Sequence, residues 1–315
     1  MPFGYNGKIL HVDLTTGHIS VEEPPEEFYR KYMGGSAMGL FYILRNMPKS
    51  VDPLSPENVL TFMVSVVTGA PISGQSRINV NAKSPMSGAI GDSQAGGFFP
   101  AEFKFAGFDG IVFRGRSPKP VYLAVINGEA CLHDASHLVG KVTAEVEDII
   151  KQELGDEKVE VAQIGPAAEN GVRFSGIVNM SNRLNGRTGM GLVMASKNLK
   201  AIVVRGKNKP QVADPKALAQ LHRAGPKLST ENADVDGLGK IGTASVVMFN
   251  NTLGTLPTRN YNEGQFEFAE DISGERMVDT ILKKRDTCYS CIVRCKRVVE
   301  VSDGPHIVDP RYGGP

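Results

Sequence analysis

Short β-branched runs, most of them closed by glycine, fill the first 206 residues, and this pattern restricts the fold more than any other feature. "KILHVDLTTGHISVEE" (8–23) is two alternating runs around Thr15-Thr16-Gly17, a hairpin signal. "GIVFRG" (110–115), "PVYLAVING" (120–128), "VEVAQIG" (159–165) and "KAIVVRG" (200–206) are further strand candidates. "VLTFMVSVV" (59–67) is the longest apolar stretch; it is too short to span a bilayer and predicts a buried strand. Two helical patterns interrupt the strands. "TAEVEDIIKQELG" (143–155) has Thr143 as candidate N-cap, apolar Val146, Ile149, Ile150 and Leu154, and Gly155 as its stop. "AEFKFAGFDG" (101–110) holds a shorter helix. Strands and helices that do not alternate regularly argue against a doubly wound nucleotide-binding fold.

The texture changes after Gly206. "KNKPQVADPK" (207–216) has the polar, proline-containing composition of a linker. Beyond it, "PKALAQLHRA" (215–224) and "GERMVDTILKKR" (274–285) have helical spacing. The expectation is an α+β chain: a β-rich domain over residues 1–208, then the start of a helical domain over 209–315. The closing "IVDPRYGGP" carries no helix cap and no charged tail, and reads as the end of a fragment. The formal net charge of +1, from 35 basic and 34 acidic residues, offers nothing to recruit nucleic acid or an anionic membrane. "MPFGYNGKIL" lacks a basic segment followed by an apolar run, so no export signal is visible. With four cysteines, three of them bunched, a secreted disulfide framework is disfavoured and a soluble cytoplasmic protein is expected.

Those three cysteines, Cys288, Cys291 and Cys295 in "RDTCYSCIVRCK", are candidate metal ligands. One contiguous triplet plus a distant fourth ligand suits a [4Fe–4S] cluster; zinc and a buried or redox thiol group are the alternatives. Cys131, in "NGEACLHDA", is read as an ordinary buried thiol. Lys283, Lys284, Arg285, Arg294, Lys296 and Arg297 make the surroundings basic. They are either a solvated face or a device that raises a cluster's potential or docks an acidic partner. "GLGKIG" (237–242) has dinucleotide-loop spacing but follows the polar "ENADVD", so the strand such a loop needs is missing. Two glycine-rich segments, 73–110 and 182–201, carry Arg77, Lys83, Arg183 and Arg187. They can offer backbone N–H and guanidinium donors to phosphates or a heteroaromatic ring, or be plain turns.

At "GYNGKILHVDLTTGHISVEEPPEEFYRKYMGG", "VDPLSPENVLTF", "AKSPMSGAIGDSQAGG", "EFKFAGFDGIVFRG", "VAQIGPAAENGVRFSGIVN" and "MASKNLKAIVVRG", the chain resembles the aldehyde:ferredoxin oxidoreductase family of tungsten enzymes. The likeness runs through residues 4–206 and resumes at the cysteine triplet. It implies a β-rich base of two sheets for tungsten (or molybdenum) held between two molybdopterins, with a [4Fe–4S] cluster nearby. Cys288, Cys291 and Cys295 match three cluster ligands, the fourth lying far downstream. Arg77 matches an arginine that bridges cluster and pterin. Gln94 and Leu184 fall where main-chain carbonyls hold a Mg2+ ion between the pterin phosphates; the family usually has asparagine and alanine there, a change of side chain only. Ala95, Gly96, Arg183, Asn185 and Gly186 belong to the same pterin-facing segments. The family's catalytic residues would lie beyond residue 315.

The implied reaction is oxidation of an aldehyde to a carboxylic acid, with electrons leaving through the cluster to a ferredoxin or a partner subunit of an oligomer or multi-subunit complex. A benzoyl-CoA reductase-like, ring-reducing branch of the same family is the second reading, and a non-catalytic Fe–S electron-transfer module the third. "CIVRC" in place of the usual Cys-Pro-Ile-Gly-Cys, "SVVTG" in place of GPLTG, and Thr188-Gly189 in place of a double glycine leave substrate scope and electron partner open.

Overall fold

Twelve of the strand-forming segments assemble into two six-stranded sheets in the computed structural model, which describes residues 3–313. The fold is α+β. The first sheet contains β1 (Ile9–Asp13), β2 (His18–Glu22), β3 (Leu60–Val64), β4 (Ile78–Lys83), β5 (Ile90–Ala95) and β6 (Gly110–Arg114), in the order β2-β1-β6-β3-β4-β5. The second contains β7 (Val121–Ile126), β8 (Glu129–Asp134), β9 (Glu160–Gln163), β10 (Ile177–Asn179), β11 (Arg183–Asn185) and β12 (Leu199–Arg205), in the order β11-β10-β9-β12-β7-β8. Each sheet has one parallel pair, β1 with β6 and β7 with β12.

Six helices pack on these sheets: α1 (Glu26–Tyr32), α2 (Gly35–Asn46), α3 (Phe99–Phe105), α4 (Thr143–Leu154), α5 (Pro166–Glu169) and α6 (Met190–Ser196). One core joins the inner sheet faces: Phe62, Val80 and Phe113 from the first, Leu123, Ile202 and Val204 from the second, with Phe99 and Phe103 of α3 and Met190 and Val193 of α6 among them. Outside the first sheet, Phe28, Tyr29, Met38 and Tyr42 of α1 and α2 cover Ile9, Met63 and Val112. Outside the second, Val146 and Ile150 of α4 cover Tyr122, Val161 and Val203. Central strands are thus covered on both faces, which is why β3 is buried along its whole length and carries no alternating polar face.

A buried ion pair fastens the N-terminal segment to this core. Lys104 Nζ lies 2.5 Å from Asp109 Oδ1, with both side chains at most 1% exposed. Lys104 Nζ also donates to Ser65 O at 3.2 Å, and Asp109 Oδ2 accepts from the Gly7 and Asn6 N–H groups at 2.7 and 3.0 Å. Burial pushes Lys104 down, against the pull of Asp109. Each charge would be costly alone; together, with backbone donors on the carboxylate, they are satisfied.

Contacts divide the chain into Met1–Ala70 with Gln75–Pro215, and Pro71–Gly74 with Lys216–Pro315. The second unit contains α7 (Pro215–Glu231), α8 (Ala233–Ile241), α9 (Val246–Thr252), α10 (Gly274–Thr280), β13 (Leu282–Asp286) and β14 (Lys296–Val299). No helix among the described residues is long and apolar enough to cross a membrane.

Four local expectations need correction. Thr143 is the first helical residue of α4 and not its cap; Val142 occupies that position, and no side chain caps the helix. The 274–285 stretch is helical only to Thr280, because its second half pairs with β14 as an antiparallel strand. Cys131 lies within β8 and is exposed, since that strand is the edge of its sheet. Much of the two glycine-rich segments is strand, β4 and β5 in one and β11 in the other.

Ionisable groups inside the first unit make its stability sensitive to substitution and to pH. Asp109→Ala should destabilise the fold by about 3–5 kcal/mol in urea denaturation, whereas Lys104→Met with Asp109→Leu together should cost far less. Equal costs would mean that the pair is not the source of the effect. Glu160 on β9 sits beside Glu147 of α4, which accepts from Ser181 N and Oγ at 3.1 and 3.0 Å. Burial, reinforced by Glu147, pushes Glu160 up to about 8. An unfolded glutamate titrates near about 4.3. Between those values the folded chain keeps a proton that the unfolded chain has lost, so stability falls as pH rises and levels off above the folded value. Glu160→Gln should therefore lose less stability than the wild type between about pH 5 and about pH 8. Parallel losses would assign the slope to other groups.

Candidate cofactor cleft and cysteine loop

The edge strands β5 and β11 meet along a seam closed by side chains. Asn185 Nδ2 donates to Ser93 O at 2.8 Å, Arg187 N to Ser93 Oγ at 3.1 Å, and Asn179 Nδ2 to Gly96 O at 3.2 Å. Ser76 Oγ donates to Gly97 O at 2.7 Å. Gly97 has φ of 113°, and a Cβ there would stand 2.3 Å from Asn179 Oδ1, so a side chain would displace Asn179, which bridges β10 to the segment after β5. The seam needs glycine at this point for both reasons.

On β5 the pleat sends Gly91, Ser93 and Ala95 inward and leaves Asp92 and Gln94 exposed. β11 does the same, burying Arg183 and Asn185 and exposing Leu184. The exposed residues line a cleft of about 620 Å3 with Arg77, Gly186 and Arg187. Arg77 immediately precedes β4, and Arg187 follows β11. Asp92 is held in place by two donors: Ser36 Oγ, from the first turn of α2, and Asn79 Nδ2 at 3.1 Å. Asn79 Nδ2 also donates to Ser36 Oγ at 2.7 Å, which closes the triangle. Two guanidinium groups against one anchored carboxylate make a polar cleft suited to a ligand that carries phosphates and N–H donors.

The sequence-derived residues divide between two positions. Arg77, Gln94, Leu184 and Gly186 line the cleft. Ala95, Gly96, Arg183 and Asn185 are buried at the seam beneath it. Asp92, Ser36 and Asn79 escaped sequence reasoning. Asp92 could have been found, since in a strand residues two apart share a face and it stands two before Gln94. Ser36 reaches Asp92 only through the fold.

Cys288, Cys291 and Cys295 lie in the second unit, on the loop between β13 and β14, and all three thiols are free and half-buried. Thr287 Oγ1 donates to Cys288 O at 3.0 Å and also to Cys291 O, while Cys291 N donates to Cys288 O at 3.1 Å. Ser290 and Arg294 adopt left-handed φ of 53°, so the loop turns sharply between its thiols. Among the described residues, no three His, Cys, Asp or Glu side chains stand together as a metal-holding group. The donor chemistry, three soft sulfurs on one tightly turned loop, fits an iron–sulfur or zinc ligand set that lacks a member. "GLGKIG" is the C-terminal half of α8 and its Gly242 cap, with no strand before it, which excludes a dinucleotide loop.

Comparison with known proteins gives this geometry its context. The profile for "Aldehyde ferredoxin oxidoreductase, N-terminal domain" matches residues 9–206, and that for "Aldehyde ferredoxin oxidoreductase, domains 2 & 3" matches residues 220–315. The chain is 43% identical over 297 residues to the tungsten-containing aldehyde ferredoxin oxidoreductase of Pyrococcus abyssi, covering 94% of this chain and 49% of that protein. It is 30% identical over 322 residues to the aliphatic sulfonate oxidoreductase, WOR-like subunit, of Pyrococcus furiosus, covering 96% and 51%. Among solved structures, the active site complex BamBC of benzoyl coenzyme A reductase with 1,5-dienoyl-CoA is similar, with a TM-score of 0.83 and 33% identity over 97% of this chain and 48% of that chain. The chain thus spans about half the length of these relatives. With both profiles matched in order along the chain, it belongs to the aldehyde ferredoxin oxidoreductase family.

Proposed function

We propose that the intact protein is a tungsten-dependent, bis-pterin oxidoreductase, and that this chain supplies the base of its cofactor site and three ligands of a [4Fe–4S] cluster. The reaction is that of an aldehyde and water giving a carboxylic acid, two protons and two electrons. The observation that carries this reading is the cleft on the β5–β11 seam, where Arg77 and Arg187 flank Gln94, Leu184 and Gly186. Guanidinium groups bind phosphate through paired, charge-assisted hydrogen bonds, and these two are exposed to do so.

In this reading the main-chain carbonyls of Gln94 and Leu184 would hold a Mg2+ ion that offsets the charge of the pterin phosphates. Ala95, Gly96, Arg183, Asn185 and Gly186 shape the backbone around it. Asp92, held by Ser36 and Asn79, presents a fixed acceptor to ring N–H groups. When bound, the tungstopterin supplies oxygen transfer and two-electron chemistry, while the protein orients it. Cys288, Cys291 and Cys295 hold the cluster with a fourth ligand from outside the described residues, and a ferredoxin or an Fe–S subunit takes the electrons. The likeness to BamBC supports a second reading, in which the same cofactor base serves low-potential reduction of an aromatic thioester.

The intact protein should contain tungsten, pterin and about four irons per chain. Zinc alone in elemental analysis would sink the proposal. Anaerobic assays separate the two reactions: reduction of a viologen dye on adding simple aldehydes supports aldehyde oxidation. A cofactor-loaded protein inert to aldehydes but able to reduce an aromatic-ring thioester would establish the second reading.

A further inference from the structure

GLGKIG and three of the arginines around the cysteine loop, Arg285, Arg294 and Arg297, form one assembly in the second unit. Arg297, on β14, is fully buried. Its Nη2 donates to Gly239 O at 2.8 Å and to Arg294 O, and its Nη1 donates to Lys240 O. Gly239 and Lys240 are the last turn of α8, and Arg294 immediately precedes Cys295. Arg285 stands opposite Arg297 in the β13–β14 register, and its Nη2 donates to Val293 O at 3.1 Å. Two consecutive carbonyls of the cysteine loop therefore each take a guanidinium. A Cβ on Gly239 would lie 2.7 Å from Arg285 Nη2 and 2.8 Å from Val293 O. The glycine lets α8 and the loop approach this closely.

The charge balance of this assembly is incomplete. No carboxylate pairs with Arg297 among the described residues, and the Nε atoms of Arg297 and Arg285 have no hydrogen-bond partner. A cation taken out of water needs compensating negative charge or dipoles. The C-terminus of α8 offers about half a negative charge, and carbonyl dipoles add to it. A metal–thiolate group on the loop would supply the remainder, because thiols bind iron only as thiolates.

We propose that Arg297, assisted by Arg285, is a positioning residue and counter-charge for the anionic metal–thiolate group on Cys288, Cys291 and Cys295, shaping the Cys291–Cys295 turn and raising the group's reduction potential. The inference rests on the iron–sulfur reading above. Reduction adds negative charge to the group, and a fixed guanidinium beside it favours the reduced form.

The test is iron analysis and an EPR-monitored redox titration of the intact, metal-loaded protein. Wild type, Arg297→Lys, Arg297→Met and Arg285→Met are compared. Arg297→Met should shift the one-electron equilibrium at least tenfold toward the oxidised form, a lowering of about 59 mV. Arg297→Lys, which keeps the charge, should remain near the wild type, and Arg285→Met should move in the same direction as Arg297→Met by a smaller amount. Methionine variants that load full iron at an unchanged potential would overturn the proposal. If Arg297→Met does not fold or load, Arg285→Met, half-buried on the opposite strand, decides by the same criterion. A wild-type protein without an iron–sulfur signal removes the underlying reading and this inference with it.

Discussion

The seam between β5 and β11 is the constraint on which the candidate cofactor site depends. Two sheet edges ordinarily present unpaired backbone groups, a liability that proteins cover or twist away. Here Asn185 of β11 bridges to Ser93 O of β5, and Asn179 at the end of β10 to Gly96 O just beyond β5, in place of a backbone ladder. The cleft lies beside these bridges, lined by the exposed residues of both strands. Asp92, Gln94 and Leu184 line it from strands whose alternate residues, Gly91, Ser93, Ala95, Arg183 and Asn185, are buried.

That core explains how irregular, polar backbone is tolerated so near the centre of the unit. Helices α3 and α6 fill the layer between the sheets, and their buried residues tie both sheets into one apolar body. Lys104 and Asp109, at the end of α3 and the start of β6, then fasten residues 6 and 7 to the same layer. A buried pair of this kind is weak evidence for net stability but a strict geometric demand, since removing either member strands the other.

Buried cations are satisfied in two ways here. In the first, Lys104 meets a carboxylate within its own fold and is satisfied. In the second, the Arg297 guanidinium meets only carbonyls, and those carbonyls belong to a helix end and to the loop that carries the thiols. The first arrangement is structural and closed. The second also serves Lys197 of the first unit, whose Nζ donates to Pro56 O and Gly115 O; what distinguishes Arg297 is that one of its carbonyls belongs to Arg294, next to Cys295.

Local chemistry written in the chain determined the strands, the hairpin at Thr15–Gly17, the helix of 143–155 and the donor types of the cysteine loop, because alternation, turn residues and thiol spacing act over a few residues. Family resemblance was legible for the same reason: its motifs are contiguous strings. What depended on contacts distant in the chain was not legible. Ser36 meets Asp92 across 56 positions, and Asn185 meets Ser93 across 92. Lys283–Arg285 continues a helical pattern by spacing alone, yet becomes strand because β14 offers a ladder. Cys131 has the composition of a buried thiol and is exposed because its strand is an edge. GLGKIG has the spacing of a nucleotide loop, and only the packing of the cysteine loop against α8 reveals what its Gly239 is for. Sequence settled which groups this protein has available; the tertiary structure settled which of them face one another, since hydrogen bonds and charge pairs are decided by distance in space.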